Sequence, residues 1–265
     1  MLRSMYSGIS GMRGFQTKLD VIGNNIANVN TLGFKKGRVT FQDMMSQTTR
    51  GAQAAVPGAR GGINPIQVGL GSKVGSIDNI HTDGFVQNSG HGLDLAIEGN
   101  GMFAVTDGTI TYYTRAGNFY FDDDGNIVNP DGYYLVDVDG NIPINIPEDA
   151  QSFSITENGT VNYVDANGDP QVAGNIGLAN FSNPGGLEKV GSNLFLNSPN
   201  AGYTGLAAPD ANGMGKIISN AIEMSNVDLA EEFTEMIVSQ RGFQANTRII
   251  TTSDEILQEL VNLKR

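Results

Sequence analysis

Apolar residues recur at helical spacing at both ends of this chain and in short alternating runs between them. At the head, Met5, Met12, Leu19 and Ile26 repeat every seven residues, flanked by Leu2 and Ile9 and then by Phe15, Ile22 and Val29. That stripe predicts a helix over residues 1–30. Gly8, Gly11, Gly14 and Gly23 lie inside it, and each costs roughly 1 kcal/mol against Ala in a helix interior. Such a helix needs a partner, and it is expected to be ordered only in an assembly.

The tail offers that partner. Leu229, Met236, Phe243, Ile250 and Leu257 form a second seven-residue series. Phe233 and Val261 occupy the other seam position, four residues on, which also holds Gln240, Thr247 and Asp254; Ile249, Ile256, Leu260 and Leu263 widen the stripe toward the end. Asp228, followed by Glu231 and Glu232, reads as an N-cap with an acidic first turn. Thr251 to Asp254 could cap a second helix instead of continuing the first.

Between the ends the period changes from helical to strand-like. Residues 31–84, and 49–76 above all, are rich in Gly, Ala and polar residues and read as an extended linker. From 85 to 221, short apolar runs such as Leu93 to Ile97, Met102 to Val105, Thr109 to Thr114, Tyr133 to Val138 and Ile176 to Phe181 are separated by Asp-Gly and Asn-Gly pairs. Those pairs are turn and hairpin signals. The predicted fold is mixed α and β. Long N- and C-terminal helices (1–30 with 222–265) form a coiled-coil-like stalk, and a central antiparallel β-rich domain covers 85–221.

Charge sharpens this division. The formal net charge is -12, but residues 1–50 carry seven basic and two acidic residues, whereas residues 51–220 carry five basic and eighteen acidic. An acidic total disfavours a nucleic-acid partner, because phosphate neutralisation needs a Lys/Arg surface. No apolar run approaches the ~18 residues of a membrane-spanning helix, and the head has no apolar core for a cleaved secretory signal. With no Cys there is no thiolate chemistry. Asp122 to Asn126 and Asp137 to Asn141 resemble calcium loops but place Gly at the fourth position, so they read as turns and not as metal sites. His81 and His91, ten apart with no metal-binding spacing, read as surface or hydrogen-bonded side chains. No catalytic, cofactor-binding or metal-binding residue is assigned. A secreted β-rich adhesin or carbohydrate-active enzyme stands as the rival from another class.

Residues 23–35, Gly23-Asn24-Asn25-Ile26-Ala27-Asn28-Val29-Asn30-Thr31-Leu32-Gly33-Phe34-Lys35, closely resemble the N-terminal signature of the bacterial flagellar rod and hook proteins, with Asn24, Asn25, Ala27, Asn28, Thr31, Gly33 and Phe34 as the motif positions. The likeness continues through Leu93 to Phe103, Tyr113 to Phe119, Ser225 to Leu229, Met236 to Gln244 and Leu260 to Leu263, in the family's order and over nearly the whole chain. The resemblance implies a non-enzymatic structural subunit, without cofactor, that polymerises with itself into a helical tube carrying motor torque to the filament. Its partners would be neighbouring rod, hook-cap and hook–filament junction proteins. It would leave through the flagellar type III export apparatus without a cleaved signal, and a chain free of Cys suits unfolded passage. The assembly interface would be Leu2, Met5, Ile9, Met12, Leu19, Ile22 and Ile26 against Leu229, Phe233, Met236, Phe243, Ile250 and Leu257. Gln240, Gln244, Thr247 and Thr251 would face a wet lumen. Within the family, the ending, with Val227-Asp228-Leu229 and Leu260 to Leu263, looks like a hook protein and favours a short hook protein of a Gram-positive type. Overall length and the segment Ser154 to Asn197 look like the distal rod, which is the alternative.

Overall fold

The computed structural model describes residues 2–54, 61–140, 142–211 and 213–263. It divides into two compact units: Met1–Ile26, Gly37–Asp78 and Asp228–Arg265 make up unit 1, and Ala27–Lys36 with Asn79–Val227 make up unit 2. Helices at the two ends and an antiparallel β region between them give the mixed α and β class expected from the patterning.

Unit 1 holds two helices and a β ribbon. Helix α1 spans Leu2–Ala27 and helix α2 spans Leu229–Leu263, about 52 Å at ~1.5 Å per residue. Asp228 caps α2, its Oδ1 accepting from the amide of Ala230 at 2.8 Å. The helix runs unbroken through Thr251 to Asp254, where a second cap had been an open possibility. Thr252 and Ser253 donate back to the carbonyls of Arg248 (2.8 Å) and Ile249 (2.7 Å), which uses up the hydroxyls that would otherwise cap a new start.

The stretch expected as an extended linker is organised instead as a long ribbon. Strand β1 (Gly37–Asp43) pairs with β4 (Ser72–Asn79), and β2 (Ser46–Arg50) pairs antiparallel with β3 (Ile66–Gly69). Residues 55–60, part of the same expectation, lie outside the described residues. Two glycines, one in this stretch and one in α1, are points of close approach. A Cβ on Gly71, at φ +122, would stand 2.2 Å from Ser10 Oγ, and one on Gly14 would stand 2.9 Å from the Phe41 ring.

Unit 2 is built on a nine-stranded antiparallel sheet. Its central strand, Met102–Thr106, pairs with Thr111–Thr114 on one side and with Tyr134–Leu135 and Leu178–Phe181 on the other. Alternate residues of this strand enter different cores: Phe103 and Val105 join Leu95, Phe119, Ile176 and Leu178, while Met102 and Ala104 join Tyr113, Phe181 and Phe195. Burial on both faces explains why it reads as a continuous apolar run. A three-stranded meander, Ser152–Ile155, Thr160–Val164 and Pro170–Asn175, adds to the first core through Ile155 and Val161. The Asx-Gly pairs close turns as expected, with the glycine amides at 125, 132, 140, 159 and 168 donating to the carbonyl three residues back. Strands at 86–88, 188–191, 203–207 and 221–223 carry no clear alternation in the sequence. They are held by ladder partners instead.

Candidate functional site

Contacts between α1 and α2 run in opposite senses along the two helices. A Cβ on Gly8 would meet Ile250 at 3.3 Å, one on Gly11 would meet Asn246 at 2.7 Å, and one on Gly242 would meet Phe15 at 2.6 Å. Farther along, Lys18 Nζ bonds the Glu235 carboxylate and Asn25 Nδ2 donates to Glu232 Oε2 at 3.2 Å. Gly8, Gly11 and Gly14 of the head therefore forfeit helix propensity and gain close packing, letting a neighbouring side chain in. A Cβ on Gly23 would meet nothing within 4 Å.

This pairing shifts the predicted seam on both helices. On α2 the half-buried series Met236, Phe243, Ile250 and Leu257 alternates with Glu232, Ser239, Asn246 and Ser253, which follow Leu229, Met236, Phe243 and Ile250 by three residues. Ser239 is fully buried and its Oγ has no hydrogen-bond partner among the described residues. The position four residues on lies elsewhere on the helix: Phe233 is 49% exposed, and Leu229 at 40% is also outside the seam. On α1 the contact line is Gly8, Gly11, Phe15, Lys18, Ile22 and Asn25, with Ile22 buried; Met5, Ile9, Met12, Leu19 and Ile26 are half-buried beside it. Leu2 opens α1, and its side chain lies outside the described residues.

The motif after α1 divides between the units. In unit 1, the Asn25 amide clamps the backbone of Gly37, donating to its carbonyl at 2.9 Å and accepting from its N–H at 3.0 Å. Asn24 is exposed on the last turns of α1. In unit 2, Ala27 and Asn28 lead into a turn in which the Thr31 amide donates to the Asn28 carbonyl at 3.1 Å and its hydroxyl bonds Asn28 Oδ1. Gly33, at φ +65, lies so close to the Arg115–Ala116 backbone that a Cβ would come within 2.5 Å of the Ala116 nitrogen. Phe34 is buried under the Lys189 ammonium, 4.8 Å from its ring centroid.

Lys35, read in the sequence only as the end of the signature, turns out to anchor it. Its ammonium is buried and bonds Glu223 Oε1 at 2.5 Å and the Thr82 carbonyl at 2.7 Å. Arg115 Nη1 reaches Glu223 Oε2 at 3.2 Å, and the Gly84 amide donates to Oε1 at 2.8 Å. One carboxylate thus answers two buried cations. Burial lowers the Lys35 pKa, with Glu223 opposing that shift and Arg115 reinforcing it. These partners are 188 and 108 residues apart in sequence, so no local pattern announces them.

His81 departs from its expected role as a surface or hydrogen-bonded side chain. Its two ring nitrogens are buried without a hydrogen-bond partner among the described residues, and the ring packs 5.5 Å from Phe195. Burial first, then the charges of Lys35, Arg115 and Lys189, push its pKa down to about 4. His91 is exposed, 3.7 Å from Asp94. Among the described residues, no three His, Asp or Glu side chains come together as a metal site would require.

Three family models match the chain: "Flagella basal body rod protein" over residues 5–35, "Flagellar hook protein FlgE/F/G D1 domain" over 96–163 and "Flagellar basal body rod FlgEFG protein C-terminal" over 218–263. The chain is 60% identical to the flagellar basal-body rod protein FlgG of Bacillus subtilis, with all of both chains covered. It is 40% identical to FlgG of Caulobacter vibrioides, over 99% of this chain and all of that one. With the flagellar hook protein FlgE of Borreliella burgdorferi it shares 31%, again over the whole of both chains, in an alignment of 442 positions.

Proposed function

The chain belongs to the flagellar basal-body rod and hook protein family, and on that premise we propose that it is a distal-rod subunit. One observation carries the choice. The rod relative aligns over 267 positions, whereas the hook relative needs 442 to accommodate a chain of 265 residues. The hook-type assignment favoured from the ending, Val227 to Leu229 with Leu260 to Leu263, gives way, because both segments also lie inside a C-terminal family model that spans rod and hook proteins alike.

As a rod subunit, the chain self-assembles into a tube that transmits torque, bonded to copies of itself and to the rod and hook proteins at either end. Unit 1 is the polymerising part. Its helices keep large apolar residues in view, Ile237 and Val238 at 51% and 59% exposed among them. Such a surface suits burial by neighbours. Immunogold labelling of isolated hook–basal bodies tests the assignment. Label on the rod segment next to the hook is expected, and label along the curved hook would overturn it.

A further inference from the structure

Unit 2 carries a polar cleft of about 370 Å³. The turn at 30–32, within the signature, forms one wall, and residues of 114–118 form a second. The turn at 129–131 and the hairpin tip at 192–194 close the other two sides. Hydrogen bonds within the chain fix these walls. Thr114 Oγ1 donates to the Asn193 carbonyl at 3.0 Å, and Asn193 Nδ2 donates to the Leu32 carbonyl, also at 3.0 Å. Asn129 is buried, and its Oδ1 accepts from the amides of Asp131 at 3.0 Å and Tyr133 at 2.8 Å. The cleft is therefore largely preformed, as small-molecule sites usually are.

Four polar side chains on the same walls are left over. Asn30, Asn118, Asp131 and Ser192 line the cleft, and their side chains make no hydrogen bond or ion pair among the described residues. Ser192 sits at φ +49, a left-handed conformation that serine seldom adopts, at the tip of its two-residue turn. Amides and hydroxyls both donate and accept, as the hydroxyls of a sugar do. Among the described residues no Lys or Arg lines the cleft, so an anion finds no counter-charge there. Asp131 is the one carboxylate, a poor set for a metal ion. Leu32, Ala116, Pro130 and Leu194 add apolar surface that suits the C–H face of a ring.

We propose that this cleft binds a neutral saccharide of one or two rings, with Asn30, Asn118, Asp131 and Ser192 meeting its hydroxyls. The site lies wholly within unit 2 and makes no use of the helix seam. It adds a ligand to the rod-subunit reading and does not depend on it.

Saturation-transfer NMR on the full chain tests the site with glucose, N-acetylglucosamine and their β-linked disaccharides. At least one of these is expected to take up saturation at millimolar concentration. In a chain carrying isotope-labelled asparagine, the side-chain amide signals of Asn30 and Asn118 should move on titration. Asn30→Ala combined with Asn118→Ala should weaken binding by at least about tenfold. The thermal transition of unit 2 should stay put, since neither amide bonds its own chain. Ser192→Gly suits the left-handed backbone, so the turn is kept, and loss of the hydroxyl should weaken binding by roughly two- to tenfold. Glucuronate should bind more weakly than glucose, because Asp131 repels it. No saturation of any of the four sugars, amide shifts confined to other asparagines, or variants that bind as the parent does would each overturn the site. Glucuronate or inorganic phosphate binding as tightly as the best sugar would overturn the neutral ligand.

Discussion

In unit 2, Leu95, Phe103, Phe119 and Leu135 have no exposed surface, while on α2 of unit 1 Phe233, Ile237, Ile256 and Val261 are 48–66% exposed. The polar residues are arranged the opposite way. Unit 1 puts Glu232 and Ser239 into its helix seam, and among the described residues unit 2 admits charge to its interior only as the closed group of Lys35, Arg115 and Glu223. A unit that satisfies its own apolar surface needs nothing from outside to fold. A unit that seals its seam with glycine, serine and asparagine, and turns leucine and phenylalanine outward, is shaped for neighbours.

The sharpest way to break this comparison is to open the charge group. Glu223→Ala leaves two buried cations without their carboxylate, and removing one partner of a buried pair typically costs about 3–5 kcal/mol. Urea unfolding followed by the near-ultraviolet signal of the β unit should show a loss of that size. A loss below about 1 kcal/mol would mean that the group is not what holds the 31–36 segment in unit 2.

The next largest effect should fall on unit 1 alone. Phe243→Asp puts a charge into the seam, and Gly11→Val drives a branched side chain into Asn246. Both variants should lose polymerisation and amide-exchange protection across Leu2–Ala27, while the thermal transition of unit 2 stays put. Unchanged assembly of both would show that the α1–α2 contact is dispensable.

The two units also differed in how far the sequence betrayed them. Seven-residue repeats located both helices, and Asx-Gly pairs located the turns of unit 2, because each signal is local and tied to one backbone geometry. The seam position was misplaced by one residue. Phe233 is more apolar than Glu232, but a hydrophobic pattern reports only that a residue wants burial, not whether its own chain or a neighbour provides it. The ribbon was missed for a related reason, since its Gly71 marks contact with Ser10, and Gly14 of α1 marks contact with Phe41 of β1, pairs far apart in sequence. Lys35, Glu223 and His81 were illegible because their roles exist only once distant segments meet.

His81 supplies a pH test that separates the units. Its folded pKa, about 4, lies below the ordinary value of 6.5, so the folded state favours the neutral ring. The stability this contributes is complete above the unfolded pKa and is lost as pH falls from there toward the folded one. Unit 2 should therefore weaken between pH ~6.5 and ~4 with a slope of at most about 1.4 kcal/mol per pH unit. His81→Phe should flatten that slope, and an unchanged slope would assign the acid sensitivity to other groups.

The smallest expected effect tests the seam from the other direction. Ser239 is fully buried, and its hydroxyl finds no hydrogen-bond partner among the described residues. If its value lies in being small, Ser239→Ala removes an unanswered polar group without changing the helix approach. It should then leave the helix pair unchanged or strengthen it by up to about 1 kcal/mol. Ser239→Leu should instead push α1 away and imitate Phe243→Asp. Helicity measured against temperature discriminates the two. A destabilising alanine would mean that the hydroxyl bonds across the seam, and that unit 1 is more specifically paired within the chain than its exposed leucines and phenylalanines imply.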